Sequence, residues 1–269
     1  MAPLDVPPLG MGTWKLDDAV GPEAVSTALE MGYRHVDTAQ VYGTEPSVRE
    51  GLRRAAVDRE DVVLATKIHE DGDGPGYEDV ETAADRRLAA LGVDVLDLLY
   101  VHWPVGAYDA AETLPAFAAQ VERGVTRHVG VSNFTVDLLD EALDVLDVPL
   151  AAHQVEFHPF LPQNDLVAHA QANDYALVAY SPLARGQVLE HPVIRGVADK
   201  HGVSAAQVSL AWVLDHENVV AIPKASTEAH LRENLAATDL DLDPEDRERI
   251  DAIDRRERTV DRPDAPWNP

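Results

Sequence analysis

Short apolar segments alternate with amphipathic segments along nearly the whole chain, and this alternation limits the possible folds more than any other feature. From residue 33 onward, each apolar run ends in polar or small residues and is followed by a segment of helical periodicity. This pattern predicts repeated βα units that form a parallel sheet. The runs predicted as strands are 34–37, 62–67, 96–102, 128–132, 151–157, 176–181, 219–224 and, more weakly, 238–240. Eight such strands fit a closed (β/α)8 barrel, also called a TIM barrel.

The remaining segments are consistent with one barrel. A chain of 269 residues has a usual length for an α/β barrel, so we predict a single domain over 1–269. Helices are predicted at 22–31, 44–57, 78–91, 112–123, 135–146, 164–173, 204–216 and 227–236, with a further acidic helix at 244–253. Residues 3–14 are predicted to form a hairpin or loop outside the repeat. The tail at 261–269 is also predicted to lie outside the repeat. The connection at 182–203 has little regular signal.

The chain is unusually acidic. Its 48 Asp and Glu residues against 22 Lys and Arg give a formal net charge of −26. A phosphate backbone would be repelled by such a protein, so nucleic acid is excluded as a partner. Self-repulsion of this size is relieved when salt screens it, and the composition resembles that of halophilic proteins. Lysines are scarce, so each lysine that is present is less readily explained as casual surface charge.

Several classes of protein are excluded by what the sequence lacks. The absence of Cys excludes disulfides, Cys-ligated zinc and thiol nucleophiles. No apolar run is long enough to predict a membrane span. The first residues do not resemble a signal peptide, so we expect a cytoplasmic protein. His153 and His158 point to opposite faces of their predicted strand, so no metal site is expected there.

Four polar side chains are predicted to meet at one end of the barrel. Active sites of such barrels lie at the carboxyl ends of the strands, where Asp37, Lys67 and His102 end the first three predicted strands and Tyr42 follows Asp37 in a loop. A buried Lys needs a carboxylate partner, which Asp37 can supply. Two interpretations stay open at this point. One is a structural Asp–Lys pair with bystanders, and the other is a proton-transfer site in which the Lys67 cation stabilises the anion of Tyr42.

At these residues the sequence resembles the aldo-keto reductases, and the resemblance covers nearly the whole chain. The motifs that carry it follow the family's order: Gly12-Thr13-Trp14, Gly32-Tyr33-Arg34-His35-Val36-Asp37-Thr38-Ala39 with Tyr42-Gly43, Ala65-Thr66-Lys67, His102-Trp103-Pro104, Gly130-Val131-Ser132-Asn133-Phe134, Gln154-Val155-Glu156-Phe157-His158-Pro159, Ala179-Tyr180-Ser181-Pro182-Leu183 and Ile222-Pro223-Lys224. The resemblance implies a barrel that binds a nicotinamide dinucleotide without a Rossmann domain. It also implies a catalytic tetrad of Asp37, Tyr42, Lys67 and His102, with Tyr42 as the general acid.

The resemblance assigns further residues to the cofactor and the substrate. Ser132, Asn133 and Gln154 would hold the nicotinamide carboxamide, and Tyr180 would stack on the nicotinamide ring. The other implied cofactor contacts are Gly12, Thr13, Trp14, Ser181, Leu183, Lys224, Ser226, His230, Glu233 and Asn234, with Ser181 and Leu183 at the pyrophosphate, Lys224 and Ser226 at the 2′-phosphate, and Glu233 and Asn234 at the adenine. The implied walls of the substrate pocket are Trp14, Trp103 and Trp267.

Two positions depart from the family's pattern. His230 stands where an Arg commonly pairs with the 2′-phosphate, and Ala225 stands where Ser is common. A neutral imidazole cannot form the bidentate charged contact of a guanidinium. Because Lys224 and Ser226 are present, we expect NADP(H) as the cofactor. Because His230 replaces the Arg, we expect NAD(H) to be tolerated as well. The short loops resemble those of prokaryotic reductases of small aldehydes and of 2,5-diketo-D-gluconate, so the expected partner is a small carbonyl compound.

Two other functions compete with carbonyl reduction. A barrel that binds the cofactor as a sensor or accessory subunit would show little turnover. An unrelated barrel enzyme, such as an isomerase, would bind no nicotinamide cofactor. In every case we expect a monomer or weak oligomer with no membrane or nucleic acid partner.

Overall fold

The computed structural model describes residues 4–69 and 77–268. Within these ranges, eight parallel strands form a sheet in which each strand pairs with the next one along the chain. The strands are β1 (Met11–Gly12), β2 (His35–Asp37), β3 (Val63–Ile68), β4 (Leu96–Val101), β5 (Thr126–Ser132), β6 (Leu150–Glu156), β7 (Ala176–Tyr180) and β8 (Val219–Ala221). Strands β2 to β8 confirm seven predicted strands. This order of parallel strands is that of a (β/α)8 barrel.

Within the described residues, most of the strands are followed by a helix. The α-helices are α1 (Gly21–Glu30), α2 (Glu45–Arg54), α3 (Val80–Leu91), α4 (Ala110–Glu122), α5 (Val136–Val145), α6 (Asn164–Ala172), α7 (Pro192–His201), α8 (Ala205–Leu214), α9 (Glu228–Leu235) and α10 (Pro244–Asp251). Short 3₁₀ helices occur at Gln40–Tyr42, Arg59–Asp61, Tyr77–Asp79, Ala184–Glu190 and Ala236–Asp239. None of the helices in the described ranges is both long and apolar enough to span a membrane.

The residues before and within β1 close the barrel. On one side, Met11 and Gly12 pair in parallel with β2. On the other side, the amide of Gly10 donates to the carbonyl of Ala221 at 2.8 Å, and the amide of Ala221 donates to the carbonyl of Pro8 at 2.9 Å. Strand β8 is thereby joined to the segment that leads into β1.

The structure corrects the prediction for both ends of the repeat. Residues 3–14 were predicted to lie outside the repeat, but they contain the first strand, and no hairpin forms among residues 4–14; residue 3 lies outside the described ranges. The predicted strand at 238–240 is also wrong, because it overlaps the 3₁₀ helix Ala236–Asp239. A two-residue strand held by main-chain hydrogen bonds has no side-chain period that a sequence can reveal. The tail at 261–268 lies outside the repeat as predicted, and residue 269 is not described.

Helix α7 lies in the connection that was predicted to be irregular. Pro192 occupies its first turn, and Gly202 ends it with a φ of 67°, in the left-handed region. Both residues are usual at these positions, since Pro fits the first turn and Gly adopts positive φ without strain. The sequence therefore carried a boundary signal for α7.

The apolar core has three clusters. The first lies between the strands and the surrounding helices, the second fills the barrel interior, and the third consists of Trp103, Val105 and Ala265. The buried interior cluster consists of Ala65, Leu98, Tyr100, Ala152, Val178, Val220 and Ile222, with Leu4 and Val6 packed against it. Because Leu4 and Val6 precede β1, they cover the amino end of the barrel and leave the carboxyl end open.

Glu156, the last residue of β6, anchors the C-terminal tail. Its carboxylate accepts hydrogen bonds from the amides of Thr259 at 2.8 Å and Val260 at 3.0 Å, and a further bond from the Thr259 hydroxyl. His158 Nε2 lies 3.0 Å from the same carboxylate. The tail is thus held across the carboxyl end of the barrel.

The closure at β1 leads to a prediction for Gly12. A Cβ atom at this position would lie 2.6 Å from the backbone oxygen of Ile222, so we expect Gly12→Ala to lower the free energy of unfolding by about 1–3 kcal/mol, the usual cost of overpacking. Urea denaturation measures this change. Gly196→Ala in α7 is the control, because its Cβ meets only the flexible end of Arg249 at 3.2 Å. Equal losses in the two variants would contradict the proposed role of Gly12 in closure.

The tail anchor leads to a prediction about pH. Burial raises the pKa of Glu156, but the hydrogen bonds from His158, Thr259 and Val260 outweigh it and hold the pKa below its ordinary value. A carboxyl whose pKa is depressed by folding stabilises the folded state above its unfolded pKa, and this stabilisation is lost as the pH falls through the folded pKa. Acid should therefore release the tail.

Limited tryptic digestion measures release of the tail, since residues 255–262 contain several Arg. We expect Glu156→Gln to give rapid cleavage there at neutral pH, where trypsin is active, and an acid titration of tryptophan fluorescence to report the release of Trp267 from Trp103 in the wild type. The exposed Glu217→Gln is the matched control. Equal cleavage of wild type and Glu156→Gln at neutral pH would show that this carboxylate does not anchor the tail.

Candidate active site

The carboxyl ends of β2, β3 and β4 bring the four predicted polar side chains together. Asp37 ends β2, Lys67 lies next to the end of β3, and His102 directly follows β4. Tyr42 ends the 3₁₀ helix that follows β2. The sheet therefore sets their positions, since neighbouring parallel strands end at the same rim.

Lys67 and Asp37 form an ion pair beneath the rim. Their side chains are 0% and 2% exposed, respectively. Lys67 Nζ also donates to the carbonyl of Thr38 at 2.8 Å, and Gln154 Nε2 donates to the second carboxylate oxygen of Asp37 at 2.8 Å. A buried pair is tolerated when further hydrogen bonds compensate the charges, and here Thr38 accepts from Lys67 and Gln154 donates to Asp37.

Tyr42 and His102 lie directly above this pair. Lys67 Nζ is 5.0 Å from the centroid of the Tyr42 ring. The Tyr42 and His102 ring centroids are 5.6 Å apart with the planes at 76°. The Tyr42 ring is therefore packed against both the buried ammonium of Lys67 and the imidazole of His102.

Burial determines the protonation of these groups. Burial, and then the Asp37 carboxylate, raise the pKa of Tyr42 well above its ordinary value. Burial lowers the pKa of Lys67 while Asp37 opposes that shift. Burial, and then the charge of Lys67, lower the pKa of His102 well below its ordinary value. The resting site therefore presents a protonated phenol and a neutral imidazole at neutral pH.

These directions modify one sequence-based expectation. Lys67 was expected to act on Tyr42 as a cation that stabilises its anion. In the folded chain that cation is paired with the carboxylate of Asp37 and the pKa of Tyr42 is raised, so there is no Tyr42 anion for Lys67 to stabilise until a proton has been transferred. The Tyr42 hydroxyl is therefore a proton donor in the resting protein.

A cleft of about 940 Å³, including its open mouth, lies above the four side chains. Its lining combines polar groups with aromatic rings. The lining residues are Gly12, Thr13, Trp14, Asp37, Val41, Tyr42, His69, His102, Trp103, Ser132, Asn133, Gln154, Tyr180, Ser181, Ile222, Lys224 and Val260. A cleft with apolar walls and a few convergent polar groups is typical of a small-molecule site.

The structure brings most of the predicted site residues to this cleft, but not all of them. Lys67 lies beneath it and reaches it through Asp37 and Tyr42. The predicted residues that do not line it are Leu183, Ser226, His230, Glu233, Asn234 and Trp267. Asn234 is buried and His230 is exposed. These six residues do not form part of the cleft's wall.

Asn133 links Tyr180 to the main chain of His102. Tyr180 donates to Asn133 Oδ1 at 2.8 Å, and Asn133 Nδ2 donates to the carbonyl of His102 at 3.0 Å. Asn133 has a φ of 65°, a conformation that Asn tolerates better than most residues. The Tyr180 ring is therefore fixed in orientation on the wall of the cleft.

Two tryptophans from distant parts of the chain form an aromatic wall. The rings of Trp103 and Trp267 are 5.5 Å apart, and the Trp267 indole donates to Asp261 at 2.9 Å. Trp103 lines the cleft, whereas Trp267 lies behind it and lines a neighbouring depression with Arg258. Trp267 was predicted to line the substrate pocket, but it lies behind Trp103 and packs against that ring.

Lys224 is at the opposite side of the cleft. It is exposed, and its Nζ lies 3.5 Å from the hydroxyl of Ser226. His230 lies in the first turn of α9, where its amide donates to the Thr227 hydroxyl at 3.3 Å. The Lys224 cation, the Ser226 hydroxyl and the amino end of α9 therefore lie within a short stretch of the chain.

Four lining residues were not identified from the sequence: Val41, His69, Ile222 and Val260. His69 comes two residues after Lys67, and strand periodicity was a signal that could have found it. Its Nε2 lies 3.1 Å from Arg262 of the tail, and its ring lies 5.2 Å from His102. The tail residue Val260 had no such signal, because only the anchor at Glu156 brings it to the cleft.

The donor set suits an anionic dinucleotide better than a metal ion. Amides, hydroxyls and the Tyr180 ring line the wall that includes β5 to β7, and the cation of Lys224 also lines the cleft. Within 4–69 and 77–268, no group of three or more His, Asp or Glu is close enough to hold a metal ion. These groups suit a polar, anionic organic ligand.

Comparison with known proteins agrees with this geometry. The model of the Aldo/keto reductase family matches residues 8–255. Glyoxal reductase of Bacillus subtilis is 37% identical, over 97% of this chain and 94% of that protein. Human aldo-keto reductase family 1 member A1 is 35% identical, over 95% and 88% of the two chains. The solved structure of the aldo-keto reductase AKR2E5 complexed with NADPH is 32% identical, with a TM-score of 0.87 over 95% and 86%. With the family model matching most of its length, this chain belongs to the aldo-keto reductase family.

Proposed function

We propose that the protein reduces small aldehydes and ketones to alcohols with NADPH, and that Tyr42 is the general acid. The observation that carries this proposal is the position of Tyr42 in the wall of the cleft, with its ring 5.6 Å from that of His102 and next to the buried Asp37–Lys67 pair. An acid placed next to an open cleft is what carbonyl reduction requires, because the carbonyl oxygen gains a proton as its carbon gains a hydride.

Each member of the tetrad has a separate part in this reaction. A bound reduced nicotinamide would supply the hydride. His102, as a neutral imidazole, donates a hydrogen bond that orients the carbonyl oxygen, and Tyr42 transfers its proton to that oxygen. Lys67 then stabilises the negative charge left on Tyr42, and Asp37 holds Lys67 in position. The product is an alcohol, and the phenol recovers its proton from solvent.

The residues around the cleft suit the parts of the cofactor. In this proposal Tyr180 stacks on the nicotinamide, while Ser132, Asn133 and Gln154 hold its carboxamide. The residues proposed for the remainder are Gly12, Thr13, Trp14, Ser181 and Leu183 near the diphosphate, Lys224, Ser226 and His230 near the 2′-phosphate, and Glu233 and Asn234 near the adenine. The NADPH complex of AKR2E5 supports NADPH as the cofactor.

Small carbonyl compounds are the proposed substrates. Trp14 and Trp103 line the cleft and Trp267 supports Trp103, so the reactive end of a substrate meets aromatic surface. The similarity to glyoxal reductase supports short aldehydes and dicarbonyls. We further propose a single-domain, cytoplasmic protein that is a monomer or weak oligomer, with an acidic surface adapted to high salt.

Replacing Tyr42 tests the reaction. We expect Tyr42→Phe to lower kcat by at least about 10²–10⁴-fold, since general acid catalysis contributes that much, while NADPH still binds. The loss of NADPH absorbance with a panel of aldehydes, at several salt concentrations, measures kcat. Because the pKa of Tyr42 is raised, the wild-type rate should persist through neutral pH and fall only in alkaline solution. Wild type that binds NADPH but turns over no carbonyl faster than Tyr42→Phe would instead indicate a sensor.

Replacing Lys224 and His230 tests the choice of cofactor. We expect wild type to prefer NADPH modestly. Lys224→Gln should reduce the ratio of kcat/KM for NADPH over NADH about tenfold, and His230→Arg should raise it about tenfold, because charged hydrogen bonds to phosphate are strong. The exposed Arg53→Gln on α2 is the control for loss of one positive charge. A wild type that prefers NADH would contradict the proposed cofactor.

A further inference from the structure

Lys67 is faced by a second phenol ring that no step of the proposed reaction uses. Tyr100 lies on β4, directly opposite Lys67 in the parallel pairing of β3 with β4. Residues opposite each other on neighbouring strands project to the same face of a sheet, which here is the barrel interior. Lys67 Nζ lies 5.8 Å from the centroid of the Tyr100 ring and 5.0 Å from that of Tyr42. The buried ammonium is therefore near two aromatic rings, one in the cleft wall and one in the interior.

The neighbouring strands leave room for the Tyr100 ring. Gly130 is opposite Tyr100 in the pairing of β4 with β5, and Ala152 of β6 is opposite Gly130. A Cβ atom at Gly130 would lie 2.5 Å from Cε1 of Tyr100. A Gly within a strand often marks such a close approach. The interior layer at the level of Lys67 is thus arranged around one aromatic side chain, which is 0% exposed.

The ring, rather than the hydroxyl, is the part of Tyr100 that contacts the site. The hydroxyl lies beside Gln154, near enough to affect its own pKa, but forms no hydrogen bond of normal length and angle with any described residue. A buried hydroxyl without such a bond costs stability. What Tyr100 contributes to Lys67 is therefore the face of its ring.

Few groups favour the charged form of Lys67. The titratable groups that face it come from three elements and are Asp37 and His35 on β2, Tyr42 on the 3₁₀ helix after β2, and Tyr100 and His102 on β4 or directly after it. Burial keeps both histidines neutral and both phenols protonated, because it shifts each pKa toward the uncharged form. Among the described residues, the Asp37 carboxylate, the Thr38 carbonyl and the two ring faces are left to favour the ammonium.

We propose that Tyr100 is a positioning residue whose ring face, in the barrel interior, keeps Lys67 charged. The inference rests on the proposed function, since a charged Lys67 is needed there to stabilise the Tyr42 anion. An ammonium over a ring face is attracted to it, and the attraction is larger for a desolvated cation. Without the ring, desolvation would lower the pKa of Lys67 further. Lys67 would then lose its proton at a lower pH, so the Tyr100 ring extends the pH range of the reaction toward alkaline solution.

NMR of isotope-labelled lysine side chains tests this role without any turnover. The chain contains only Lys15, Lys67, Lys200 and Lys224, and replacing each of the other three by Gln assigns the Lys67 signal. We expect the titration midpoint of Lys67 to fall by about one pH unit in Tyr100→Leu, the size of shift that a desolvated cation–ring contact implies. Tyr100→Phe keeps the ring and should retain the wild-type midpoint.

The pH dependence of kcat gives a second readout. With NADPH and an aldehyde, the alkaline fall in kcat should move to lower pH by the same amount in Tyr100→Leu and should return to its wild-type position in Tyr100→Phe. Tyr100→Met is a second variant without a ring, and its unbranched side chain adapts to the space. The matched control is Phe117→Leu on α4, which removes a buried ring from the outer cluster and should lower stability without moving either midpoint.

Each outcome bears on the inference. Equal Lys67 midpoints in wild type, Tyr100→Leu and Tyr100→Met would show that the ring only fills space. A shift in Tyr100→Phe as large as that in Tyr100→Leu would assign the effect to the hydroxyl, and a shift in Phe117→Leu would assign it to a loosened core; either result overturns the proposal. A wild type that reduces no carbonyl would overturn the proposed function, whereas the Lys67 midpoint would still decide whether the ring keeps the lysine charged.

Discussion

The buried ion pair between Lys67 and Asp37 is the interaction on which the rest of the site depends. Taking both charges out of water is costly, and the cost is tolerable only because Thr38 and Gln154 complete their hydrogen bonds. These contacts tie together β2, β3 and β6. Removal of either charge would leave the other buried and unpaired, at a cost of about 3–5 kcal/mol. The same pair that supports Tyr42 thereby helps to fix the strands that carry it.

Two separate features of the fold build the open cleft above this pair. The closure between β8 and the segment before β1 brings the first and last strands together, so Gly12 and Lys224 come to the same cleft. The anchor at Glu156 then holds the tail across the carboxyl end, which brings Val260 to the cleft and Trp267 behind Trp103. The substrate side of the cleft thus depends on a tail, whereas its catalytic floor depends on the sheet.

Much of the fold and of the candidate site could be predicted because the relevant signals are local. Strands β2 to β8 have apolar runs with clear ends, and Asp37, Lys67 and His102 occupy or adjoin those ends. Strand β1 could not be predicted, because two residues held by main-chain hydrogen bonds leave no pattern of side chains. Helix α7 has its signals in Pro192 and Gly202, but a short helix beside an irregular segment is easily missed.

The sequence by itself determined the barrel, the family and the identity of the polar groups at the strand ends, because each of these follows from short-range pattern or from motifs in order. Only the tertiary structure decided how those groups act on each other. Desolvation and the nearness of Asp37 keep Tyr42 protonated, and the pairing of β3 with β4 places the Tyr100 ring beside Lys67 in the barrel interior. Such effects depend on distance in space and on exclusion of water, neither of which a sequence records.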